Sequence, residues 1–325
     1  MTTTAVKRTR AQSTDLRMAA IPSGAFPSGG GRSSWAFRKG DEIARGRYVV
    51  QHLGGGERYE VYLARDERLA TLVVTKILRP SLVENDRVRA AIAAEADILR
   101  YLHHPVIVRL FDRRLDGDHP HLALEYVDGP RLSTLIRTYE MAIEQVLSLG
   151  VQLASASHYM TTCDTVHLDI KPQNVIMSAP ARLIDLSLAR RTGQLAAVSS
   201  PVGTVKYMAP EQCDPRRFSD LGPATDIWGI GVTLYWALAH RSPFPLPDYD
   251  AEARPEERFP QLAHRPLPLP NSIPPALREL ISNMLSLEPS ERPTAGETLD
   301  VLEFLTAALP RPKLGRLRLP RKTSI

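Results

Sequence analysis

Two oxygen-bearing side chains, Asn174 and Asp185, flank a stretch whose composition predicts a β-hairpin. If Val175–Met177 pairs with Arg182–Ile184 around the turn at Ala179-Pro180, Asn174 and Asp185 stand opposite each other at the open end. An amide oxygen and a carboxylate are hard ligands of the kind that Mg²⁺ takes, with phosphate oxygens filling its other positions. The spacing therefore predicts a metal site, for Mg²⁺ or Mn²⁺, at Asn174 and Asp185.

A carboxylate and an ammonium group come just before this hairpin. Asp169 lies five residues before Asn174, where it could accept the proton of a substrate hydroxyl group. Lys171 lies between them and could neutralise charge on a phosphoryl group as that group moves. This stretch therefore favours phosphoryl transfer.

A lysine and a glutamate earlier in the chain predict a second charged centre. Lys76 lies in the apolar strand Val73–Ile77, where a lysine ordinarily points to solvent. Glu95 lies on the apolar stripe of the next predicted helix, between Ile92 and Leu99, where an unpaired carboxylate would be costly to bury. We therefore expect Lys76 and Glu95 to pair, and the ammonium group to bind the α and β phosphates of ATP.

Three successive glycines, Gly54, Gly55 and Gly56, stand between two predicted strands. Glycine lets backbone N–H groups approach phosphate oxygens closely, so this turn is a candidate phosphate-binding loop. By itself the pattern also fits an ordinary hairpin, and Tyr59 stands where a third loop glycine is usual. The assignment therefore depends on the charged residues that follow.

The elements that would position these residues change in type along the chain. Period-2 patterns in the first part predict short strands around one helix, and amphipathic stretches after Leu132 predict a mostly helical second part. A β-rich small lobe and a helical large lobe make an α+β protein whose cleft suits a nucleotide. The predicted strands are Arg47–Leu53, Glu60–Ala64, Thr71–Leu78, Val106–Leu110 and His121–Tyr126, and the predicted helices are Asp86–Leu102, Glu144–Cys163, Thr225–Ala239 and Ala276–Leu287.

The net charge of +5 is unevenly distributed along the chain. Residues 1–40 and residues 310–325 each carry a net +6, so the segment between them stands at −7. We expect a disordered basic tail at 1–40, a folded domain at 41–309 and a basic tail at 310–325. The acidic body argues against nucleic-acid binding, whereas the tails either contact acidic proteins or anionic lipid or are simply solvated. Within the folded domain we expect an N-lobe at 41–126, a connector at 127–129 and a C-lobe at 130–309.

Cysteine content and hydropathy favour a cytoplasmic protein. Cys163 and Cys213 are the two cysteines of the chain, and their separation fits neither a disulfide framework nor a zinc site. The sequence contains no run of about 18 apolar residues and no signal-peptide core. We therefore expect no transmembrane segment.

Several segments, in this order and spacing, resemble the motifs of eukaryotic-like (Hanks-type) serine/threonine protein kinases, a family also widespread in bacteria. Val166–Met177 resembles their catalytic loop, and the amino-acid sequence of Met208–Gln212 is most similar to that of the bacterial members. The resemblance covers roughly residues 42–305. It implies a two-lobed protein kinase fold, ATP with Mg²⁺ or Mn²⁺ as cofactors, and protein substrates that include the chain itself. The other matching segments are Arg182–Asp185, Gly203–Glu211, Asp226–Gly229 and Glu291–Pro293.

The resemblance also implies roles for individual residues. Leu124 would be the gatekeeper of the adenine pocket, Glu211 would pair with Arg292, and His167 would pack in the core beside Leu99 rather than act as a base. The implied catalytic residues are Asp169, Lys171, Lys76 and Glu95, the metal ligands are Asn174 and Asp185, and the nucleotide-binding residues are Leu53, Gly54, Gly55, Gly56, Val61, Val74, Lys76, Glu125, Val127, Asn174 and Asp185.

The sequence departs from the family pattern at three positions that bear on function. Leu168 replaces an arginine that, in relatives, binds a phosphate on the activation loop, so we expect activity to depend only weakly on phosphorylation of that loop. Tyr59 and Ser187 replace glycines. These departures keep a second function open, that of a pseudokinase, an ATP-binding signalling scaffold that transfers nothing. A small-molecule kinase is a further alternative, although such enzymes generally lack a segment like Gly203–Glu211.

Overall fold

Antiparallel strands and one long helix form the first lobe. The computed structural model describes residues 33–218, 221–250 and 253–309. The strands of this lobe are β1 (Glu42–Ala44), β2 (Arg47–Gly55), β3 (Tyr59–Asp66), β4 (Thr71–Leu78), β5 (Leu110–Arg114) and β6 (His121–Glu125). They form one antiparallel sheet in the order β1-β2-β3-β4-β6-β5. Val74 of β4 lies opposite Leu124 of β6, so two residues predicted to line the adenine pocket are direct neighbours.

Helix α1 (Asp86–Tyr101) packs against this sheet near β5 and β6. Its start is fixed by Asn85, whose side chain accepts a hydrogen bond of 3.2 Å from the Val88 N–H and so satisfies a free donor of the first turn. Ile92 and Leu99 are buried on the predicted apolar stripe, and Glu95 lies between them at 2% exposure. The helix therefore carries a carboxylate into the interior, as its sequence predicted.

The second lobe is helical. Its helices are α2 (Leu132–Thr138), α3 (Ile143–Thr162), α4 (Pro210–Cys213), α5 (Pro223–Ala239), α6 (Pro255–Arg258), α7 (Pro275–Met284) and α8 (Ala295–Ala307). The lobe is built around α5, where Trp228 and Tyr235 are each 1% exposed. Proline stands at the first position of α5 and α7, where its missing N–H has no helical partner to lose. Helix α3 packs against both α5 and α8. This arrangement confirms the two-lobed α+β fold, and none of the helices in the described ranges has the length and hydropathy needed to cross a membrane.

Two short antiparallel strand pairs flank the residues that are predicted to carry the chemistry. They are β7 (Thr165–Val166) with β10 (Arg190–Arg191), and β8 (Val175–Ile176) with β9 (Arg182–Leu183). The predicted register of the second pair is wrong by one residue, because Val175 pairs with Leu183 across a loop of odd length. Asn174 therefore lies opposite Ile184, whose N–H donates to the Asn174 carbonyl oxygen at 2.8 Å. Asp185 comes one residue later, with φ of 65°.

Packing contacts begin before residue 41, where we predicted the folded domain to start. Trp35 and Phe37 pack against a cluster of buried residues that includes Ile43 and Tyr62. The Ser- and Gly-rich composition of residues 1–40 obscured these two aromatic anchors, which have no periodic pattern around them. Residues 1–32 of the predicted tail at 1–40, and the predicted tail at 310–325, lie outside the described residues.

The predicted strand Val106–Leu110 does not form. Val106 and Val108 are buried, and this segment makes a single bridge to the other lobe, in which the Leu183 N–H donates to Val106 O at 2.6 Å and the Val108 N–H donates to Leu183 O at 3.0 Å. The strand begins only at Leu110. A short apolar run is compatible with a strand or with an extended linker, and sequence alone did not separate the two.

Candidate active site

Lys76 and Glu95 form the ion pair that the sequence predicted. The Lys76 Nζ lies 2.8 Å from Oε1 and 2.9 Å from Oε2 of Glu95, and the two side chains are 9% and 1% exposed. Burial by itself would lower the pKa of Lys76, but the carboxylates of Asp185 and Glu95 outweigh it and hold that pKa above its ordinary value. The ammonium group therefore keeps its charge at neutral pH.

Asp185 joins this pair from the other lobe. Its Oδ1 accepts a hydrogen bond of 2.9 Å from Lys76 Nζ. Burial favours a raised pKa for Asp185, but the neighbouring Lys76 ammonium outweighs burial and lowers the pKa below its ordinary value. The carboxylate is therefore ionised, and a single lysine links β4, α1 and Asp185, which lies two residues beyond the end of β9.

The glycine turn between β2 and β3 requires glycine at two positions. Gly54 has φ of 117°, which L residues rarely adopt, and a Cβ on Gly55 would lie 2.3 Å from the Tyr59 carbonyl oxygen. Tyr59, which stands in place of a third glycine, is 8% exposed, and its ring centroid lies 4.5 Å from Lys76 Nζ. The tyrosine thus covers the ammonium group with a cation–π contact that the sequence did not reveal.

Three side chains hold the carboxylate of Asp169. Lys171 Nζ donates to its Oδ2 at 2.6 Å, Asn174 Nδ2 donates to the same oxygen at 3.0 Å, and the Thr204 hydroxyl donates to Oδ1 at 3.0 Å. Lys171 also donates to Thr204 Oγ1 at 2.6 Å. The predicted catalytic residues of this loop are therefore in direct contact, and Thr204 links them to the segment Gly203–Glu211.

Two buried polar side chains, whose roles sequence reasoning missed, brace the catalytic loop. Asp226 accepts the backbone N–H groups of His167 at 2.8 Å and Leu168 at 2.9 Å, and Gln212 Nε2 donates to the Leu168 carbonyl oxygen at 2.7 Å. These bonds hold Leu168 at φ of 65°, just before Asp169. Asp226 and Gln212 fall in segments that resemble motifs of the family, which could have marked them as important. The resemblance alone does not show which groups they contact.

The residues predicted to meet the adenine ring lie along one edge of the first lobe. Val61 of β3 pairs with Gly54 on one side and Lys76 on the other. Leu53, Val61 and Val74 are half-buried, although most residues of β3, β4 and β6 are buried. A planar base could cover these partly exposed apolar side chains and hydrogen-bond to the backbone beside them. Glu125 ends β6, and Val127 follows in the connector.

The predicted pair of Glu211 and Arg292 is confirmed. Arg292 donates to both carboxylate oxygens of Glu211, at 2.7 and 2.8 Å, and both side chains are 0% exposed. The Thr225 hydroxyl also donates to Glu211 at 2.8 Å, and the guanidinium lies 5.0 Å from the ring of Trp228. The pair fixes the segment that ends in α4 to the core of the second lobe.

The donor set at Asn174 and Asp185 fits a divalent cation. The Asn174 amide nitrogen donates to the Asp169 carbonyl and carboxylate oxygens, both at 3.0 Å, so its side-chain oxygen is the atom left for a metal. Asp185 supplies an ionised carboxylate. Among the described residues no group of three His, Cys, Asp or Glu residues could hold a metal ion without help. Two protein oxygens supplemented by phosphates match the preference of Mg²⁺, which keeps water and substrate oxygens in its shell.

Comparison with known proteins gives one family and several relatives. The family model described as "Protein kinase domain" matches residues 48–302. The serine/threonine-protein kinase ULK3 of Xenopus laevis is 32% identical over 257 residues, which cover 75% of this chain and 52% of that protein. The serine/threonine-protein kinase pkn2 of Myxococcus xanthus is 30% identical over 285 residues, covering 82% of this chain and 33% of that protein. The probable serine/threonine-protein kinase PkwA of Thermomonospora curvata is 30% identical over 268 residues, covering 81% and 35%. The chain thus spans between a third and about half of the length of these curated relatives.

Proposed function

Because the chain belongs to the protein kinase family, we propose that it transfers the γ-phosphoryl group of ATP to serine and threonine hydroxyl groups of proteins, itself included. The observation that carries the proposal is the simultaneous contact of Lys76 with Glu95 and Asp185. That contact aligns the nucleotide-binding lobe with the residues of the second lobe that would hold the metal and the reacting groups. In protein kinases such a lysine–glutamate pair, together with the binding of Mg²⁺ by the metal-binding aspartate, must be in place for transfer.

The first lobe would bind the nucleotide. Backbone N–H groups of Gly54, Gly55 and Gly56 would approach the phosphates, and Lys76 would bind the α and β phosphates through its ammonium group. Leu53, Val61 and Val74 would enclose the adenine ring, whose edge would meet the backbone at Glu125 and Val127.

Asn174 and Asp185 would hold a divalent ion, for which we propose Mg²⁺ or Mn²⁺. Such an ion, when bound, neutralises charge on the phosphates of ATP. Because Lys76 keeps Asp185 ionised, that carboxylate is ready for a cation without first losing a proton. The Asn174 amide is oriented by the two bonds that it donates to Asp169.

Asp169 would accept the proton of the substrate hydroxyl group. Its carboxylate is held by Lys171, Asn174 and Thr204, so its position is set before a substrate arrives. Lys171 would also neutralise the phosphoryl group in transit. The contact between Lys171 and Thr204 supports transfer to serine and threonine, because the family's serine/threonine members carry these two residue types.

The test is phosphate transfer from γ-labelled Mg-ATP to the chain itself and to a generic basic protein, followed by phosphosite mapping by mass spectrometry. We expect labelled serine and threonine in the wild type. The variant Asp169→Asn should lose transfer by about 100-fold or more, since a positioned general base contributes at least that much, while it still binds ATP in calorimetry. Asp116→Asn, on an exposed loop, is the matched control and should behave as the wild type.

A wild type that binds ATP but transfers nothing, with Mg²⁺ and Mn²⁺ alike, would overturn the proposal in favour of an ATP-binding scaffold. Labelled tyrosine, or equal activity in the Asp169→Asn variant, would also contradict it. The proposal further places the protein in the cytoplasm and allows its basic tails to contact acidic proteins or anionic lipid. Cell fractionation and vesicle binding by the full chain test these two points.

A further inference from the structure

Residues 33–37 form a strap that crosses the outer face of the first lobe. The Trp35 indole Nε1 donates to the Leu78 carbonyl oxygen at 2.7 Å. Its ring lies edge-on to His119 with centroids 4.4 Å apart, and the Phe37 ring lies edge-on to Tyr62 at 5.7 Å. The strap is therefore anchored both by a hydrogen bond to β4 and by aromatic packing.

The strap contacts a buried carboxylate, that of Glu60, which is 1% exposed. The Ser34 hydroxyl donates to Glu60 Oε2 at 3.1 Å, and the Trp35 backbone N–H donates to Oε1 at 3.2 Å. Tyr62 donates its hydroxyl hydrogen to the same carboxylate, and Arg79 forms an ion pair with it at 3.1 Å. A buried carboxylate needs such donors, and two of these come from the strap.

Arg79 connects this network to the glycine turn between β2 and β3. Its Nε donates to the Gly56 carbonyl oxygen at 2.8 Å, while its Nη1 donates to Glu60 Oε1 and to the Ser33 carbonyl oxygen, both at 3.1 Å. One planar guanidinium thus holds the strap, the buried carboxylate and the glycine turn at fixed relative positions. The Glu60 side chain points to the face opposite that of its neighbour Val61, which is predicted to contact the adenine ring.

We propose that Arg79 and Glu60 are positioning residues for the glycine-rich loop and that the strap at residues 33–37 sets their geometry, so that sequence outside the nucleotide cleft controls the affinity for ATP. The inference rests on the proposed function, because it assigns to this network the loop that would bind the phosphates. Loss of the strap removes two donors from Glu60 and one acceptor from Arg79. The guanidinium is then less constrained, and the Gly56 end of the loop is less ordered.

Steady-state kinetics with the full chain test the proposal through two variants and their combination. Trp35→Leu removes the anchor of the strap, and Arg79→Met removes the link to Gly56. We expect each to raise the KM for ATP by about fivefold to tenfold, the equivalent of one ordinary hydrogen bond, while kcat changes by less than about twofold. The double variant should match Arg79→Met alone, because the strap acts through Arg79. Arg113→Met, which breaks a partly exposed ion pair with Asp97 in the same lobe, is the control and should leave the KM unchanged.

Hydrogen–deuterium exchange of the glycine-loop amides gives a readout that does not depend on activity. We expect faster exchange at residues 53–59 in Trp35→Leu and Arg79→Met, and unchanged exchange in Arg113→Met. Unchanged loop exchange in the first two variants, or effects on the KM that multiply in the double variant, would overturn the inference. A wild type without transfer activity would refute the proposed function and leave the exchange result to decide this inference separately.

Discussion

At the scale of single residues, the ammonium group of Lys76 is shared between two carboxylates of different lobes. Glu95 contributes both of its oxygens and Asp185 contributes one, at distances of 2.8 to 2.9 Å. The Lys76 charge therefore balances Glu95 in the interior and restrains Asp185 at the edge of the cleft. Removing the charge of Glu95 should shift the lysine toward Asp185, where it would compete with a metal ion.

The variant Glu95→Gln should consequently lower kcat/KM for Mg-ATP by about 100-fold, the loss typical of removing one group that orders a site electrostatically. Its melting temperature should stay close to that of the wild type, because glutamine keeps the shape of the side chain. Glu84→Gln, an exposed position just before α1, is the control. Activity within a factor of about three of wild type would show that the pair does not support catalysis.

A second residue-scale prediction concerns His167, whose side chain is fully buried next to Asp169. Burial lowers the pKa of His167 to about 4. In the unfolded chain a histidine titrates near 6.5. As the pH falls from 7 to 5, the unfolded state therefore takes up a proton that the folded state refuses, and stability falls by about 2 kcal/mol through this residue.

Urea unfolding at pH 7 and pH 5 measures this contribution by comparison with His167→Asn. Asp226, which contacts the His167 backbone, acts with the opposite sign, because burial raises its pKa to about 7 and the folded state takes up its proton first. That effect is common to both proteins and cancels in the comparison. The wild type should lose about 2 kcal/mol more than the variant between the two pH values. An equal pH dependence in the two proteins would mean that the folded state protonates His167 readily.

At the scale of elements, the segment between Asp185 and Glu211 is attached to the catalytic loop by apolar contacts. Leu168, 3% exposed, clusters with Val166 and Leu195, and Leu188 packs against them. Relatives with arginine in place of Leu168 would use its charge to hold a phosphate. In this chain the same position contributes to a small hydrophobic core, so we expect the segment to become ordered without added charge.

We therefore expect Thr192→Ala, Ser199→Ala and Ser200→Ala each to keep transfer activity within about twofold of the wild type, a change of less than 1 kcal/mol. By contrast, Leu195→Ala should lower activity by about 30-fold or more, because truncating a buried leucine costs about 2 kcal/mol or more. Thr204 is not part of this series, since it contacts Asp169 directly. Transfer assays on protein treated with phosphatase check the prediction. A loss of tenfold or more at Thr192, Ser199 or Ser200 would contradict it.

The elements also show what the sequence could predict. Strand β4 was predicted at its observed bounds, and α1 within one residue, because periodicity and a capping asparagine define them locally. The buried pair of Lys76 and Glu95 followed from a carboxylate on an apolar stripe. The register of β8 and β9, the strap around Trp35 and the contact of Tyr59 with Lys76 depend on loop geometry or on partners distant in sequence. Local pattern carries little information about such contacts.

At the scale of the whole molecule, the buried pair of Glu211 and Arg292 joins parts of the second lobe that are far apart in sequence. Arg292 also donates to the carbonyl oxygens of Ala224, Ser286 and Leu287, at 2.9 to 3.1 Å. The guanidinium nitrogens Nε, Nη1 and Nη2 of Arg292 therefore all donate hydrogen bonds to groups inside the protein. Removing one partner would leave the opposite charge buried without a counter-charge. This lowers the free energy of unfolding more than replacing both residues of the pair does.

Arg292→Met should therefore lower the free energy of unfolding by about 3 to 5 kcal/mol, with loss of transfer activity as the segment at Gly203–Glu211 loosens. Adding Glu211→Gln to this variant should restore part of the stability, because the neutral amide can keep its bond from Thr225 without a buried charge. Denaturant unfolding of the wild type, the two single variants and the double variant gives the coupling between the residues. A double variant less stable than Arg292→Met would show that the stranded charge is not the source of the loss and that Glu211 stabilises the lobe through its other contacts.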